Sequence, residues 1–348
     1  MNFLKERARK ITDEIKNYIF TNKVRIEEFV MKEGHFKSPE DVDSSQIPWK
    51  TFKITDRWGG IDKNYWFRCY FTFPKNFDNK YFAVYLFTGA EGWDAINPQF
   101  MLYLNGKLIQ GVDVNHREVI FYERAKAGQT IQIDLHAYSG MVDKKLELYL
   151  DVCVFEEDVS RLYFNLDVPL QVVELLPDDN QKKWKMINII NETINIIDLR
   201  KPLSEEFFES IRRANQFIEK ELYEKYSFDD VVATCIGHSH IDVAWLWRLD
   251  QTRQKAARTF ATMLKLMEEY PEFVFIASQP QLYKFVKEDY PEVYEKIRER
   301  IREGRWEAEG GMWLEADCNL TSGESLVRQL LYGKKFFKEE FGIDSKIL

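Results

Sequence analysis

The sequence predicts a multidomain α and β chain with an N-terminal helical segment, a jelly-roll-like β-sandwich, a helical connector and an incomplete, β/α-barrel-like α/β domain. Three observations predict it. Apolar residues recur at helical spacing near the N-terminus and again over 181–226. From about residue 50 the period becomes strand-like, and after Asp229-Asp230 strands and helices alternate. The expected boundaries are 1–45, 46–170, 171–228 and 229–348.

Residues 3 to about 34 are charged and helix-friendly, with Ile11, Ile15, Tyr18 and Ile19 on one face, and Gly34 ends the pattern. A loop rich in Ser, Pro and Asp follows to Pro48. Strand-like runs then fall at 66–71, 81–87, 99–104, 117–122, 130–138 and 145–155, with no helix of useful length among them. Asn105-Gly106 is a two-residue hairpin signal, because both residues accept positive φ. Many short strands at regular spacing read as a sandwich. In the connector Ile187, Ile190, Ile194 and Ile197 share a face, Pro202 interrupts it, and Phe207, Ile211, Ala214 and Ile218 resume it.

Val231–Ile236 is a continuous apolar run, as expected of a strand buried on both faces. Phe260, Met263, Leu264 and Met267 mark a helix ended by Pro271. Residues 273–277 read as a second strand, Val293, Ile297 and Ile301 as a helix stopped by Gly304, and 305–309 as a third strand. Thr321 and Glu324 form a capping-box pattern for a helix running to Gly342. Residues 343–348 would open a fourth strand, so the chain reads as cut within this last domain, where too few βα units are present to close a barrel.

Composition narrows the function. With 49 Lys plus Arg against 57 Asp plus Glu, the net charge is −8, which argues against nucleic acid as a partner. No stretch approaches the ~20 apolar residues of a membrane helix. The first twenty residues carry charge throughout, unlike a signal peptide, so a cytoplasmic location is expected. Four scattered cysteines without a CxxC pair signal neither a disulfide scaffold nor a zinc knuckle.

Of five histidines, two stand two residues apart in Gly237-His238-Ser239-His240-Ile241-Asp242-Val243-Ala244-Trp245. In extended backbone His238, His240 and Asp242 share one face. Strand ends in an α/β sheet open on the usual active-site crevice. Imidazole with carboxylate suits a divalent cation, zinc by default; hydrogen-bonded histidines stabilising a turn are the structural alternative. Gly310–Asp317 follows the third strand, and Asp317 precedes a helix N-terminus, whose positive end favours negative charge. Asp317 reads either as nucleophile or metal ligand, or simply as a cap. Trp245, Trp247 and Trp313 lie near these acids, and Trp245 is the best placed to stack on a sugar face. Arg328 suits an ion pair, catalytic or structural.

These residues carry a resemblance. GHSHIDVAWLWRLDQTRQKAART, YPEFVFIASQPQLY and GRWEAEGGMWLEADCNLTSGESLVRQLLYGKKFF, in order over 229–348, closely resemble the N-terminal part of the catalytic domain of glycoside hydrolase family 38, the α-mannosidases. LYLNGKLIQGVDVNHREV, within the 50–160 region, resembles the β-domain that precedes it in the cytosolic and bacterial branch. The resemblance implies retaining hydrolysis of terminal α-D-mannosides in mannose-containing oligosaccharides, through a covalent mannosyl-enzyme. It implies His240, Asp242 and Asp317 as metal ligands, His238 as a supporting neighbour, Asp317 also as nucleophile, and Trp245 as the platform under the mannose ring. The implied metal is Zn2+, with Co2+ or another divalent ion as substitute. It places the general acid/base and a further histidine ligand beyond Leu348, so residues 1–348 alone are expected to be inactive. The missing part of the enzyme or a second copy of the chain would be the protein partner. A metal-dependent amidohydrolase or deacetylase, and a non-catalytic carbohydrate-binding fragment, are the alternatives.

Overall fold

The structure, a computed structural model, describes residues 2–89, 92, 98–225 and 233–348. The chain opens with α1 (Asn2–Lys16), β1 (Phe20–Arg25), β2 (Glu28–Glu33), α2 (Pro39–Ser44), β3 (Lys50–Lys53), β4 (Trp58–Gly59) and β5 (Asn64–Thr72). It continues with β6 (Phe82–Phe87), β7 (Gln99–Leu104), β8 (Lys107–Val112), β9 (Glu118–Phe121), β10 (Thr130–Tyr138), β11 (Lys145–Leu146) and β12 (Tyr149–Phe155). These strands form a four-stranded sheet of order β1-β12-β6-β9 and a six-stranded sheet of order β3-β2-β5-β10-β7-β8, with β4 and β11 pairing separately. Every pairing among them is antiparallel. Val84, Leu86, Leu150 and Val152 of the smaller sheet meet Phe67, Leu102, Ile133 and Leu135 of the larger in one apolar core. Asn105 and Gly106 turn the β7–β8 hairpin at φ 50° and 83°, as the dipeptide predicts.

The expected helix over 3–34 stops at Lys16. Residues 20–33, inside the segment expected to be helical to 45, instead form β1 and β2. The physical reason is pairing. Thr21, Val24 and Val30 suit strands, and β12 and β5 each offer an open edge to them. The expected limit at 170 also falls within a helix, since α3 (Glu157–Leu175) begins right after β12. With α4 (Gln181–Ile196) and α5 (Glu205–Ile218), α3 and α1 cover the outer face of the smaller sheet. Ala83, Cys153 and Phe155 join Leu162, Leu166, Ile187, Ile190, Phe207 and Ile211 there.

The third layer carries β13 (Gly237–His238), α6 (Leu249–Glu269), β14 (Phe275–Ala277), α7 (Pro280–Asp289), α8 (Pro291–Arg302), β15 (Trp306–Ala308) and α9 (Gly323–Phe341). β13, β14 and β15 pair in parallel, in chain order. Trp66, Met101 and Tyr103 from the back of the larger sheet pack on Ala256, Ala257 and Phe260 of α6, welding the β-layers to this unit.

Other expectations require correction. Of the buried strand expected over 231–236, residues 231 and 232 lie outside the described residues, and 233–236 are exposed and outside any strand. Among the described residues β13 has one neighbour, β14, and Gly237 and His238 are the residues held in that ladder. α7 had no counterpart in the periodicity. Ser322, not Thr321, caps α9, its hydroxyl accepting from Ser325 N–H at 3.3 Å. Residues 343–348 form no strand, although Gly311 N–H reaches Ile347 O at 2.8 Å. Among the described residues no helix is long and apolar enough to cross a membrane.

Candidate functional site

The site forms where the chain leaves the C-terminal ends of the three parallel strands. Gly237 N–H donates to Val274 O (2.8 Å) and the Nδ1 of His238 lies 3.1 Å from Ile276 O, so His238 is tied back to β14. His240, two residues on, is free to face the loops after the other strands. Its Nε2 lies 3.0 Å from Asp242 Oδ1 and its Nδ1 lies 2.7 Å from Glu315 Oε2. The Asp242 hydrogen bond, helped by both carboxylate charges, raises the pKa of His240 above its ordinary value, against a smaller opposing effect of burial. All three side chains remain partly open to solvent.

A second tier holds this trio. Gln279, buried at 3 % exposure, sits at φ 63° at the start of α7. Its amide donates to Ile241 O at 3.0 Å and its carbonyl accepts from Glu315 N–H at 3.2 Å, joining the loops after β13 and β15. A non-glycine residue at positive φ costs about 1 kcal/mol or more, and such conformations concentrate at functional positions. Ser278 donates to Glu315 Oε1 at 2.6 Å. Gly310 lets these loops close: at φ 112°, a Cβ there would come within 2.8 Å of Ser278 Cβ.

Asp317 stands apart. Its Oδ1 accepts from Asn319 N–H (2.8 Å) and Leu320 N–H (3.3 Å), closing a turn ahead of α9 rather than capping that helix. Its Oδ2 has no partner among the described residues. Trp245 is 61 % exposed, set edge to face on Trp247 with centroids 5.8 Å apart. Arg328 pairs with Glu324 one turn earlier on α9 (2.9 Å), the structural option. Trp313 donates to Gln281 Oε1 at 2.9 Å, also a structural role. The structure therefore brings His240 and Asp242 together, leaves Asp317 and Trp245 exposed nearby in sequence, and adds Glu315, Ser278 and Gln279. Sequence reasoning passed over Glu315; its signal was a second acid in the loop after the third strand.

Imidazole and carboxylate are the donors a divalent cation takes, and His240 with Asp242 fits that chemistry. The two ring nitrogens diverge, so Asp242 and Glu315 lie on opposite sides of His240 and share no point with it. Accordingly, among the described residues no group of three or more His, Cys, Asp or Glu is arranged around one ion position.

Comparison with known proteins adds independent information. Residues 230–348 match the model of the glycosyl hydrolases family 38 N-terminal domain. The chain is similar to Alpha-mannosidase G of Dictyostelium discoideum, 31 % identical over 322 residues, covering 86 % of this chain and 28 % of that protein. It is 30 % identical over 330 residues to human Alpha-mannosidase 2C1, covering 88 % of this chain and 30 % of the relative. A yeast Alpha-mannosidase from Saccharomyces cerevisiae is 34 % identical over 200 residues, covering 55 % of this chain and 18 % of the relative. The chain thus spans less than a third of each relative's length.

Proposed function

We propose, from the premise that residues 230–348 belong to the N-terminal domain of glycosyl hydrolase family 38, that the strand-end site serves retaining hydrolysis of terminal α-D-mannosides. One observation carries the reading. The segment that matches the family model is the one whose His240 and Asp242 meet at 3.0 Å beyond a parallel strand.

In this reading His240 and Asp242 would hold a divalent cation, zinc or a substitute, with Asp317 completing the set after rearrangement of its turn. Such an ion, when bound, would supply orientation and polarisation of the sugar's 2- and 3-hydroxyls. Glu315 and Ser278 fix the His240 ring, and Gln279 fixes the backbone on either side of it. Trp245 offers an exposed indole on which a pyranose face can stack. Asp317 Oδ2 attacks the anomeric carbon as the glycosidic oxygen leaves, giving a mannosyl ester that water then hydrolyses. Protonation of that leaving oxygen is assigned outside residues 1–348. Loss of that assistance costs about 10²- to 10⁴-fold, so these residues alone are expected to turn over unactivated mannosides poorly.

An activated substrate separates the steps, because fluoride leaves without protonation. Incubation with a fluorinated α-mannosyl fluoride and zinc should add one fluoromannosyl group to the peptide containing Asp317. The D317N protein should remain unlabelled, and zinc binding measured by calorimetry should weaken in H240A and D242A. Labelling at another carboxylate, or zinc binding indifferent to both substitutions, would overturn the assignment.

A further inference from the structure

A cavity of about 300 Å³ lies beside the site, on the seam between the six-stranded sheet and α6. Its wall is formed by Gln99 of β7, the turn after β8 with Asp113 and His116, Ser239 and His240 after β13, and Lys255 and Arg258 of α6. The seam is tight. A Cβ on Gly111 would come within 2.8 Å of Arg258 Cβ, and Gly111 N–H donates to Thr262 Oγ1 at 3.2 Å. That close approach fixes where Arg258 stands.

Two cations converge here on one neutral oxygen. Lys255 Nζ donates to Gln99 Oε1 at 3.1 Å, and the Arg258 guanidinium donates to the same atom. Neither has a carboxylate partner among the described residues. Arg258 is only 7 % exposed, and Lys255 packs its ammonium 4.2 Å from the centre of the Trp247 ring. Buried cations ordinarily stand against an opposite charge. Among the described residues the one acid on the wall is Asp113, whose Oδ1 already takes the His116 ring at 3.0 Å and the Asn115 and His116 N–H groups at 2.8 and 2.9 Å. Among the described residues of the wall, Lys255 and Arg258 therefore outnumber Asp113. Burial, and then the neighbouring Arg258, push Lys255 down to about 7, and burial pushes Arg258 down to about 10, in both cases against an opposing pull from Asp113.

We propose that this cavity binds a phosphate group, its oxygens taken by Lys255 Nζ and the Arg258 guanidinium. A guanidinium fork and a mobile ammonium are a donor pair suited to phosphate, which accepts several hydrogen bonds at once. The group has two sources: free inorganic phosphate, or a phosphate borne on the ligand of the adjacent His240 site. The second rests on the glycosidase reading; the first does not.

The test is binding, so it needs no turnover and is independent of whether Asp317 can be labelled. Calorimetry and thermal unfolding would be run with sodium phosphate against sodium chloride at equal ionic strength, and with mannose 6-phosphate against mannose. Phosphate should bind and raise the melting temperature, and K255Q should weaken that binding by about tenfold or more, the loss of one charge-assisted hydrogen bond. Mannose 6-phosphate binding tighter than either phosphate or mannose assigns the group to the ligand; equal affinity with phosphate assigns it to the free anion. Q99E provides the second variant. It places a carboxylate where the two cations meet, and should raise the melting temperature while abolishing the response to phosphate. Absence of phosphate binding in the wild-type chain, or binding unchanged in both K255Q and Q99E, overturns the proposal.

Discussion

The antiparallel layers and the ends of the parallel strands treat the same side chains in opposite ways. His136 on β10 is 2 % exposed, stacked on Trp66 at 4.7 Å, with Nε2 at 3.1 Å from Asn64 Oδ1 and Nδ1 without a partner among the described residues. Burial, aided by Arg258, lowers its pKa to about 3. His240 is open to solvent, flanked by two carboxylates, and shifted upward. Arg68 and Asp134 pair face to face across β5 and β10 under the surface, whereas Asp242 and Glu315 are reached by water. The difference shows which region is scaffold. Where buried charges are paired inside a sheet interior, as Arg68 and Asp134 are, they stabilise one arrangement. Where charged groups are held in place by buried neighbours but left wet, they remain available to a ligand.

The largest contrast concerns tryptophan. Trp306, 1 % exposed, packs against Phe260 and Phe275 and donates to Tyr283 at 2.8 Å. W306A should cost about 3–5 kcal/mol, while W245A, at an exposed position, should stay within about 0.5 kcal/mol. Urea unfolding of the two variants measures both, and equal losses would erase the distinction between scaffold and site.

Acid should expose the buried histidine next. With a folded pKa of about 3 against an ordinary value near 6.5, His136 takes up a proton more readily in the unfolded chain. Its stabilising effect is complete above pH ~6.5 and is lost as pH falls toward 3, at about 1.4 kcal/mol per unit. Stability measured from pH 7 to 5 should fall by about 2 kcal/mol from this group, and H136Q should flatten that slope. A slope unchanged in H136Q would place the acid sensitivity elsewhere.

A smaller effect tests the tie between the loops after β13 and β15. Q279A leaves Ile241 O and Glu315 N–H without their partner, a cost of about 1–3 kcal/mol, and should weaken zinc binding although Gln279 touches no expected ligand. Unaltered zinc affinity would show that the loops hold themselves. The smallest change checks register at α9. S322A should lose about 1 kcal/mol of stability, and T321A measurably less, because only the Ser322 hydroxyl accepts from Ser325 N–H.

Much of this was legible beforehand because it depends on local chemistry. The Asn105-Gly106 turn follows from two residues that tolerate positive φ. The runs at 130–138 and 99–104 became β10 and β7 with the same bounds, because short runs rich in β-branched and aromatic residues, bounded by turn residues, suit a pleated sheet. The HxHxD pattern after a parallel strand located His240 and Asp242 for the same reason, since residues two apart leave extended backbone on one face.

What required the tertiary structure was everything set by a partner distant in sequence. Residues 20–33 are strands because β12 and β5 present edges to them, although the segment before them is helical. Glu315 reaches His240 because Gly310 permits the loops to close and Gln279 ties them together. Asp317 turned toward the amides of Asn319 and Leu320, the nearest donors to its oxygen. The sequence by itself singled out His240 and Asp242 as a pair, through their spacing along extended backbone. Only packing decided which distant side chains meet, because a contact between Arg258 and Gln99 or between His240 and Glu315 depends on how whole layers dock.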